Sequence, residues 1–254
     1  MLFGREIGLR VFGYGAIALG AVGLVWGDFA LVWQPVPSSV PGRTALAYIA
    51  AGALLLAGAA VQWRRTARAG ALALTTLYSL CVLLLHVPRV VARPLALGAW
   101  SGVAEQLALV AGGLVAYAIA RQIDGSTSER IARTARLTFA ACLFMFGLVH
   151  FYYVDATAEL VPTWLPPSQV FWAYTTGIAH CGAGLAIATG ILATAASRLL
   201  TLMFVVFGVL VHAPTLFIDP HSHLNWTANA MNLALTGSAW VIAGSIESRS
   251  SEAA

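Results

Sequence analysis

Residues 198–218 read RLLTLMFVVFGVLVHAPTLFI, and this stretch decides the fold class. After Arg198 it contains no Asp, Glu, Lys or Arg, and His212 is its only titratable side chain apart from that arginine. An apolar run of about 18 or more residues is long enough to cross the hydrocarbon core of a bilayer as an α-helix. The stretch therefore predicts a transmembrane helix.

The composition of the whole chain agrees with this reading. Of the 254 residues, 59% are hydrophobic and only 9% are charged, and the mean hydropathy is +0.82. A soluble domain carries about 25% charged residues and buries at most about three-quarters of its unfolded surface. So much apolar surface could not be hidden in water, and we expect an all-α integral membrane protein.

Eight stretches are apolar and long enough to be predicted as spans, separated by clusters of Pro, Gly, Asp and Arg. They are residues 11–33, 44–62, 69–87, 100–120, 137–153, 171–192, 198–218 and 226–245. The first is kept as a helix because no small-residue cleavage site follows a short apolar core, as it would in a removed signal peptide. Eight spans place both termini on the same side of the membrane.

The arginines predict the orientation. All 14 basic residues are Arg, and 11 of them fall on the side of the two termini, whereas Arg43, Arg89 and Arg93 fall on the other. By the positive-inside rule both termini are cytoplasmic. No basic run is interleaved with aromatic residues, so nucleic-acid binding is not expected. The expected partners are the lipid bilayer and other membrane or periplasmic subunits.

The two halves of the chain resemble each other at a spacing of 126 residues. His86-Val87-Pro88 corresponds to His212-Ala213-Pro214, and Trp100 corresponds to Trp226. Each half holds four spans, an even number, so the sequence predicts two parallel-repeat four-helix bundles. We expect a first membrane repeat at 1–120, a cytoplasmic linker at 121–136, a second repeat at 137–246 and a polar tail at 247–254.

Histidines and acids gather toward the outer half of the predicted spans. His150, His180 and His212 lie on three successive spans, and Asp155 follows the first of these. They are the candidate catalytic residues, and the three imidazoles are the candidate metal ligands for zinc, iron or copper, or for a haem. None has a partner at the i, i+3 or i+4 spacing of a helix-borne metal motif. Hydrogen-bonded or proton-handling histidines, or plain packing, remain the alternatives.

Polar residues also recur at helical spacing. Asn225, Asn229, Asn232 and Thr236 form one stripe on the last span, and Thr176 and His180 share another. Such stripes line a pocket or hold helices together by hydrogen bonds. The candidate ligand-binding residues are Asn225, Asn229, Asn232, Thr176, Glu105 and His86. For His86, capping of a helix end ahead of Pro88 is the alternative role.

Several short motifs resemble the DoxX/DoxD-like family of bacterial membrane proteins. They are residues 147–151 (GLVHF), 161–167 (VPTWLPP), 171–180 (FWAYTTGIAH), 211–214 (VHAP) with Asp219-Pro220 and Trp226, and, in the first half, His86-Val87-Pro88-Arg89 with Trp100-Ser101. The chain thus resembles a tandem pair of DoxX-like four-helix units. In the first half, Trp26 and Leu54 stand where the second has His150 and His180, so the second unit is the candidate for an active site.

The resemblance implies a redox role near the quinone pool, because the family includes a subunit associated with thiosulfate:quinone oxidoreduction. We expect an inner-membrane protein with a periplasm-facing, histidine-containing polar pocket, serving as a quinone-linked oxidoreductase component or a small-ligand binder. A quinone is the expected cofactor, ahead of a haem or metal. The alternative is a non-catalytic structural or accessory subunit of a larger complex. A transporter is disfavoured because no ionisable residue lies deep in the inner half of a span.

Overall fold

The computed structural model describes residues 2–121 and 126–252, with side chains for 4–120 and 127–247. These residues form helices and connecting turns without any strand, which confirms the all-α prediction. The eight long helices are α1 (Leu2–Trp26), α2 (Arg43–Val61), α3 (Ala67–Ala92), α4 (Leu97–Arg121), α5 (Ser126–Tyr152), α6 (Gln169–Thr189), α7 (Ala193–Ile218) and α8 (His223–Glu252). A 3₁₀ turn at Leu31–Trp33 and a short helix at Val154–Glu159 lie in the connections.

Six of these helices, α1 to α5 and α7, are long and apolar enough to cross a membrane. The chain is therefore a multi-pass membrane protein by length and composition. The other two, α6 and α8, do not meet the same measure of apolarity. Their 21 and 30 residues are still enough for about 30 Å or more at 1.5 Å per residue. Polar residues such as Asn225, Asn229 and Asn232 lower the hydropathy of α8.

Proline and tryptophan fix three of the helix starts in the same way. The indole of Trp100 donates to the carbonyl of Pro94, that of Trp172 to Pro166 and that of Trp226 to Pro220, each at 2.9 Å. Each hydrogen bond joins the first turns of α4, α6 or α8 to the connection before it. The tryptophans therefore hold the loops against the helices.

The bounds of the helices recur at the spacing of the sequence repeat. α2 begins at residue 43 and α6 at 169, and α4 begins at 97 and α8 at 223. Both α3 and α7 contain a five-residue π-helical turn, at Val82–His86 and Gly208–His212, and each turn is followed by a proline two residues later. Every one of these offsets is 126 residues, so the repeat is visible in local structure as well as in sequence.

The helices of the two halves interleave. α1 packs along α2 and α8, α5 packs along α4 and α6, and α4 also contacts α8. Small residues allow the close approach of α1 and α8, because a Cβ on Gly237 would overlap the backbone of Phe12 and one on Gly15 would overlap Ala234. Each half therefore completes its packing with a helix of the other, so the two predicted four-helix bundles share an extensive contact.

Three predicted boundaries differ from the structure. α1 ends at Trp26 rather than near residue 33, because Gly27 turns the chain with φ +60°. The expected linker 121–136 is helical from Ser126 onward, and residues 122–125 lie outside the described part of the chain. At the other end α8 runs through Glu252, within the predicted polar tail, and residues 253–254 are outside the described part.

A ligand groove and a histidine pair

Successive helices run in opposite directions, so α1, α3, α5 and α7 finish at the end of the bundle where α2, α4, α6 and α8 begin. We call this the upper end. It is tied together by an ion pair between Arg43 and Asp28 at 2.5 Å. It is also tied by stacking of the Trp26 ring on the His223 imidazole, with ring centroids 5.1 Å apart and an interplanar angle of 9°. The C-terminal end of α1 is thereby fixed against the N-terminal end of α8.

A groove of about 760 Å³ runs from this upper end along α8, between α1 and α7. Most of its lining is aliphatic. Its polar lining residues are Trp26, His221, Trp226, Asn229, Asn232 and Thr236. A cleft of this size with a few convergent polar groups is typical of a small-molecule site. Three of the four residues of the predicted α8 stripe line it, whereas Asn225 lies outside it.

The groove exists because α1 and α7 each pack on α8 without an extended contact with each other, as far as the described residues show. Ala18, Ala21 and Gly208 leave space between the walls. At the rims Val25 and Val209 are 76% and 61% exposed. In a membrane these rims would face lipid, so the groove opens sideways toward the hydrocarbon as well as upward.

The two asparagines of the groove donate to the backbone of α7. Asn229 Nδ2 lies 2.8 Å from the carbonyl oxygen of His212 and 2.8 Å from that of Asn225. Asn232 Nδ2 lies 3.2 Å from the carbonyl oxygen of Phe204. Gly208 permits this approach, because a Cβ there would lie 2.8 Å from the Asn232 amide nitrogen.

These contacts fix which end of each amide faces the groove. The bonded atoms of α7 are carbonyl oxygens, so the side-chain nitrogens must point at them and the Oδ1 atoms must point elsewhere. In the described part of the chain no hydrogen bond reaches Oδ1 of Asn229 or Asn232, and neither oxygen is sealed from the surface. The Thr236 hydroxyl donates its proton to the backbone carbonyl oxygen of Asn232 at 2.8 Å, so the hydroxyl oxygen of Thr236 is available as an acceptor.

At the upper end the imidazole of His223 lies against Trp26, which lines the groove. It stacks on Trp26, and its Nε2 is buried without a hydrogen-bond partner among the described residues. Burial lowers the pKa of His223, and the nearby Asp28 carboxylate opposes this by raising it. The neutral imidazole is therefore the form that this environment favours.

A second feature is the pair formed by His150 of α5 and His180 of α6. Their ring centroids lie 4.8 Å apart. Nδ1 of His150 lies 2.8 Å from the carbonyl oxygen of Phe146, and Nδ1 of His180 lies 2.8 Å from that of Thr176. A carbonyl can only accept, so each Nδ1 carries the proton and each Nε2 keeps its lone pair.

Aromatic rings enclose this pair. The His180 imidazole is 1% exposed and contacts Phe146 on α5 and Phe204 and Phe207 on α7. The groove uses other residues of α7, among them Gly208. Phe204 joins the two features, since its ring contacts His180 and its carbonyl accepts from Asn232, whereas neither His150 nor His180 lines the groove.

The remaining candidates in the second half have other surroundings. The His212 carbonyl accepts from Asn229 and, at 2.6 Å, from the Thr215 hydroxyl, while no hydrogen bond to its imidazole is found among the described residues. Asp155 is exposed on the short helix Val154–Glu159. Thr176 uses its hydroxyl on the Trp172 carbonyl at 2.8 Å. Within the described residues no group of three His, Cys, Asp or Glu side chains could hold a metal ion.

In the first half, polar side chains surround the 3₁₀ turn. His86 Nε2 and Gln106 Nε2 each lie 3.0 Å from the Trp33 carbonyl oxygen. Glu105 lies close to the Trp33 side chain. His86 is buried and packs against Gly102, where a Cβ would lie 2.5 Å from Nδ1. The predicted ligand residues His86 and Glu105 therefore both lie next to Trp33, and neither of them lines the groove.

Sequence reasoning missed two groove residues of importance. Trp26 stood out only as a departure from the repeat, and Gly208 was one of 24 glycines. The usable signal was the comparison between halves, because Gly208 corresponds to Val82 at the 126-residue offset. A glycine in one copy of a duplicated π-helical turn indicates that something approaches that turn closely.

Comparison with known protein families finds a match to part of the chain. Residues 139–236 match the model of a domain of unknown function, DUF8561. The matched segment extends from α5 into α8 and contains the histidine pair, the α7 wall of the groove and the polar stripe of α8. No curated protein and no solved structure matches the chain.

Proposed function

We propose that this protein is a DoxX-like component of the bacterial inner membrane that binds a small, largely apolar molecule in the groove between α1, α7 and α8. The observation that carries this proposal is the groove itself. It combines about 760 Å³ of mostly aliphatic lining with Asn229, Asn232 and Thr236 on its floor. Its lateral opening suits a ligand that is dissolved in the bilayer.

The proposed topology has eight spans in two four-helix repeats, with both termini cytoplasmic and the upper end periplasmic. The positions of the arginines support it. Arg64, Arg65 and Arg68 lie between or near the lower ends of α2 and α3, and Arg198 begins the lower part of α7. Among the described residues, the arginines at the upper end are Arg43, Arg89 and Arg93, and Arg43 is neutralised by Asp28.

A quinone-linked oxidoreductase component is the reaction class that the DoxX resemblance suggests. In that role the quinone occupies the groove, and His150 and His180 bind or relay protons through their free Nε2 atoms. Among the described residues, neither Asp155 nor His212 makes a hydrogen bond with this pair. We therefore assign neither of them a role in proton transfer.

Photocrosslinking tests the proposed site. Purified protein in lipid nanodiscs is irradiated with a diazirine-bearing decyl benzoquinone, and the labelled peptides are mapped. We expect labels on α1, α7 and α8 that unlabelled decylubiquinone suppresses. We expect Ala21→Phe, which adds a phenyl ring at a groove-lining position of α1, to remove them. Labelling spread over all lipid-facing helices and unchanged by Ala21→Phe would contradict the proposal.

The second candidate function is that of a non-catalytic accessory subunit. It is favoured by one observation, namely that the amide nitrogens of Asn225, Asn229 and Asn232 all bond to backbone carbonyls. In that case the main role of these three asparagines is to hold α8 against α7. The same crosslinking experiment separates the two, since an accessory subunit would show no saturable labelling.

A further inference from the structure

The two copies of the π-helical turn provide an internal control for the role of the groove asparagines. In the first half the turn Val82–His86 is followed by Pro88, just as Gly208–His212 is followed by Pro214. A π-helical turn next to a proline leaves backbone carbonyls without their usual partners. If side-chain amides were required to satisfy them, both copies would supply amides.

The first copy does not supply them. At the 126-residue offset Asn229 corresponds to Val103, and Thr236 corresponds to Val110. Asn232 corresponds to Gln106, whose Nε2 bonds to the Trp33 carbonyl instead of to α3. The wide turn of α3 therefore stands without amides from α4. Holding the turn of α7 is not sufficient reason for the two asparagines of α8.

What distinguishes the second copy is the groove, and the asparagines give it a definite hydrogen-bonding character. Both N–H groups of Asn229 and one of the two of Asn232 are hydrogen-bonded to backbone carbonyls. The asparagines therefore offer two acceptor oxygens and one N–H, and Thr236 adds a third acceptor. The Trp26 indole lies at the upper end, beside Trp226 with ring centroids 6.5 Å apart. Asn232 lies six residues beyond Trp226 on α8, about 9 Å deeper at 1.5 Å per residue.

We propose that the groove selects a membrane-dissolved molecule that carries a hydroxyl group, and that this hydroxyl donates to the amide oxygens of Asn229 and Asn232. The occupant is an alcohol, a phenol or a hydroquinone with an apolar body. The inference rests on the proposed ligand-binding function and specifies its substrate class. A carbonyl or ether at the same place can accept only from the second N–H of Asn232 and leaves the amide oxygens unpaired, so we expect it to bind in the groove more weakly than the hydroxyl.

A matched pair of probes tests this. Tritiated 4-nonylphenol is bound to the protein in nanodiscs, and 4-nonylphenol and its methyl ether 4-nonylanisole are compared as competitors. Partition into empty nanodiscs is subtracted for each. A net hydrogen bond contributes about 0.5–1.5 kcal/mol, so we expect the phenol to compete about two- to tenfold better than the ether.

Three variants locate the effect. Asn232→Leu removes the preference for the phenol, and Gln106→Leu, at the corresponding place in the first half, keeps it. Ala21→Phe abolishes displaceable binding of both probes. If Asn232→Leu does not fold, the comparison of phenol with ether in the wild type and in Ala21→Phe decides the matter.

The outcomes separate this inference from the proposed function. Equal competition by phenol and ether, lost in Ala21→Phe, would overturn the hydroxyl selection and leave the groove as a binding site. A full phenol preference in Asn232→Leu would also overturn it. No displaceable binding of either probe would overturn both the selection and the groove as a ligand site.

Discussion

The amide nitrogen of Asn229 lies 2.8 Å from the carbonyl oxygen of His212, and this hydrogen bond joins α8 to the π-helical turn of α7. This bond makes α8 the fixed floor of the groove. The side-chain amides of α8 hold α7, and close helix packing holds α1 against α8. The corresponding residues of the first half are Val103 and His86, which make no such bond. The two halves thus share the π-helical turn, and of the two corresponding positions only Asn229 in the second half bonds to it.

The contact between α1 and α8 should be sensitive to the size of residue 237. A methyl group on Gly237 would overlap the backbone of Phe12, and overpacking of this kind costs about 1–3 kcal/mol. We expect Gly237→Ala to lower the unfolding midpoint in a thermal melt of the detergent-solubilised protein. Gly182→Ala, which has open space around its Cβ, is the control and should leave the midpoint unchanged or raise it.

The enclosure of His180 predicts a strong dependence on side-chain volume. The ring contacts three phenylalanines, so His180→Ala leaves a cavity and should destabilise the protein by about 2–4 kcal/mol. His180→Phe retains the ring and should recover most of that loss. Chemical denaturation in mixed micelles measures both. Equal destabilisation by Ala and Phe would show that the Nδ1 hydrogen bond, and not packing, makes the larger contribution.

Acidification should weaken the upper end through His223. Its pKa in the folded state is lowered, mainly by burial, so the unfolded chain binds more protons as the pH falls below about 6.5. This contribution to stability is therefore present at neutral pH and is lost on acidification. We expect the melting midpoint of the wild type to fall more between pH 7.5 and 5.5 than that of His223→Phe.

His221 provides the control for that experiment, since it is exposed in the same connection. His221→Phe should show the wild-type dependence on pH. If His223→Phe and His221→Phe lose stability with acid to the same extent as the wild type, His223 does not carry the effect.

The proposed orientation can be tested by labelling single cysteines in intact cells. Cys81, Cys142 and Cys181 are first replaced by alanine, and a cysteine is then placed at Arg65 or at His221. We expect a membrane-impermeant maleimide to label the position 221 variant before lysis and the position 65 variant only after it. The reverse pattern would place the groove mouth in the cytoplasm and refute the proposed topology.

The helical architecture was accessible from the sequence because proline, glycine and arginine interrupt apolar runs at identifiable places. Hydropathy located α2, α4 and α7 to within a few residues. It could not locate the start of α5, because the polar residues after Ser126 continue the helix beyond the apolar run. Nor could it show that α1 packs on α8, because the signal for that contact is the small size of scattered residues such as Gly15 and Gly237.

The candidate site could be predicted from the sequence only in part, because helical spacing shows which residues share a face but not which helices that face contacts. Helical spacing identified the stripe of Asn229, Asn232 and Thr236, since these polar residues share one face of α8. It could not say which helices that face meets, so Trp26 of α1 was not expected in the same groove. The joining of His150 with His180, and not with His212, depends on how far along its helix each residue lies and on how the helices tilt.

The central claim is that the groove between α1, α7 and α8 holds a molecule taken from the membrane. Native mass spectrometry of the protein released directly from its own membranes tests this most directly, with Ala21→Phe as the comparison. We predict a discrete adduct of small-molecule mass at a stoichiometry of about one on the wild type, absent from Ala21→Phe. A wild-type protein without an adduct, or the same adduct on both proteins, would contradict the account.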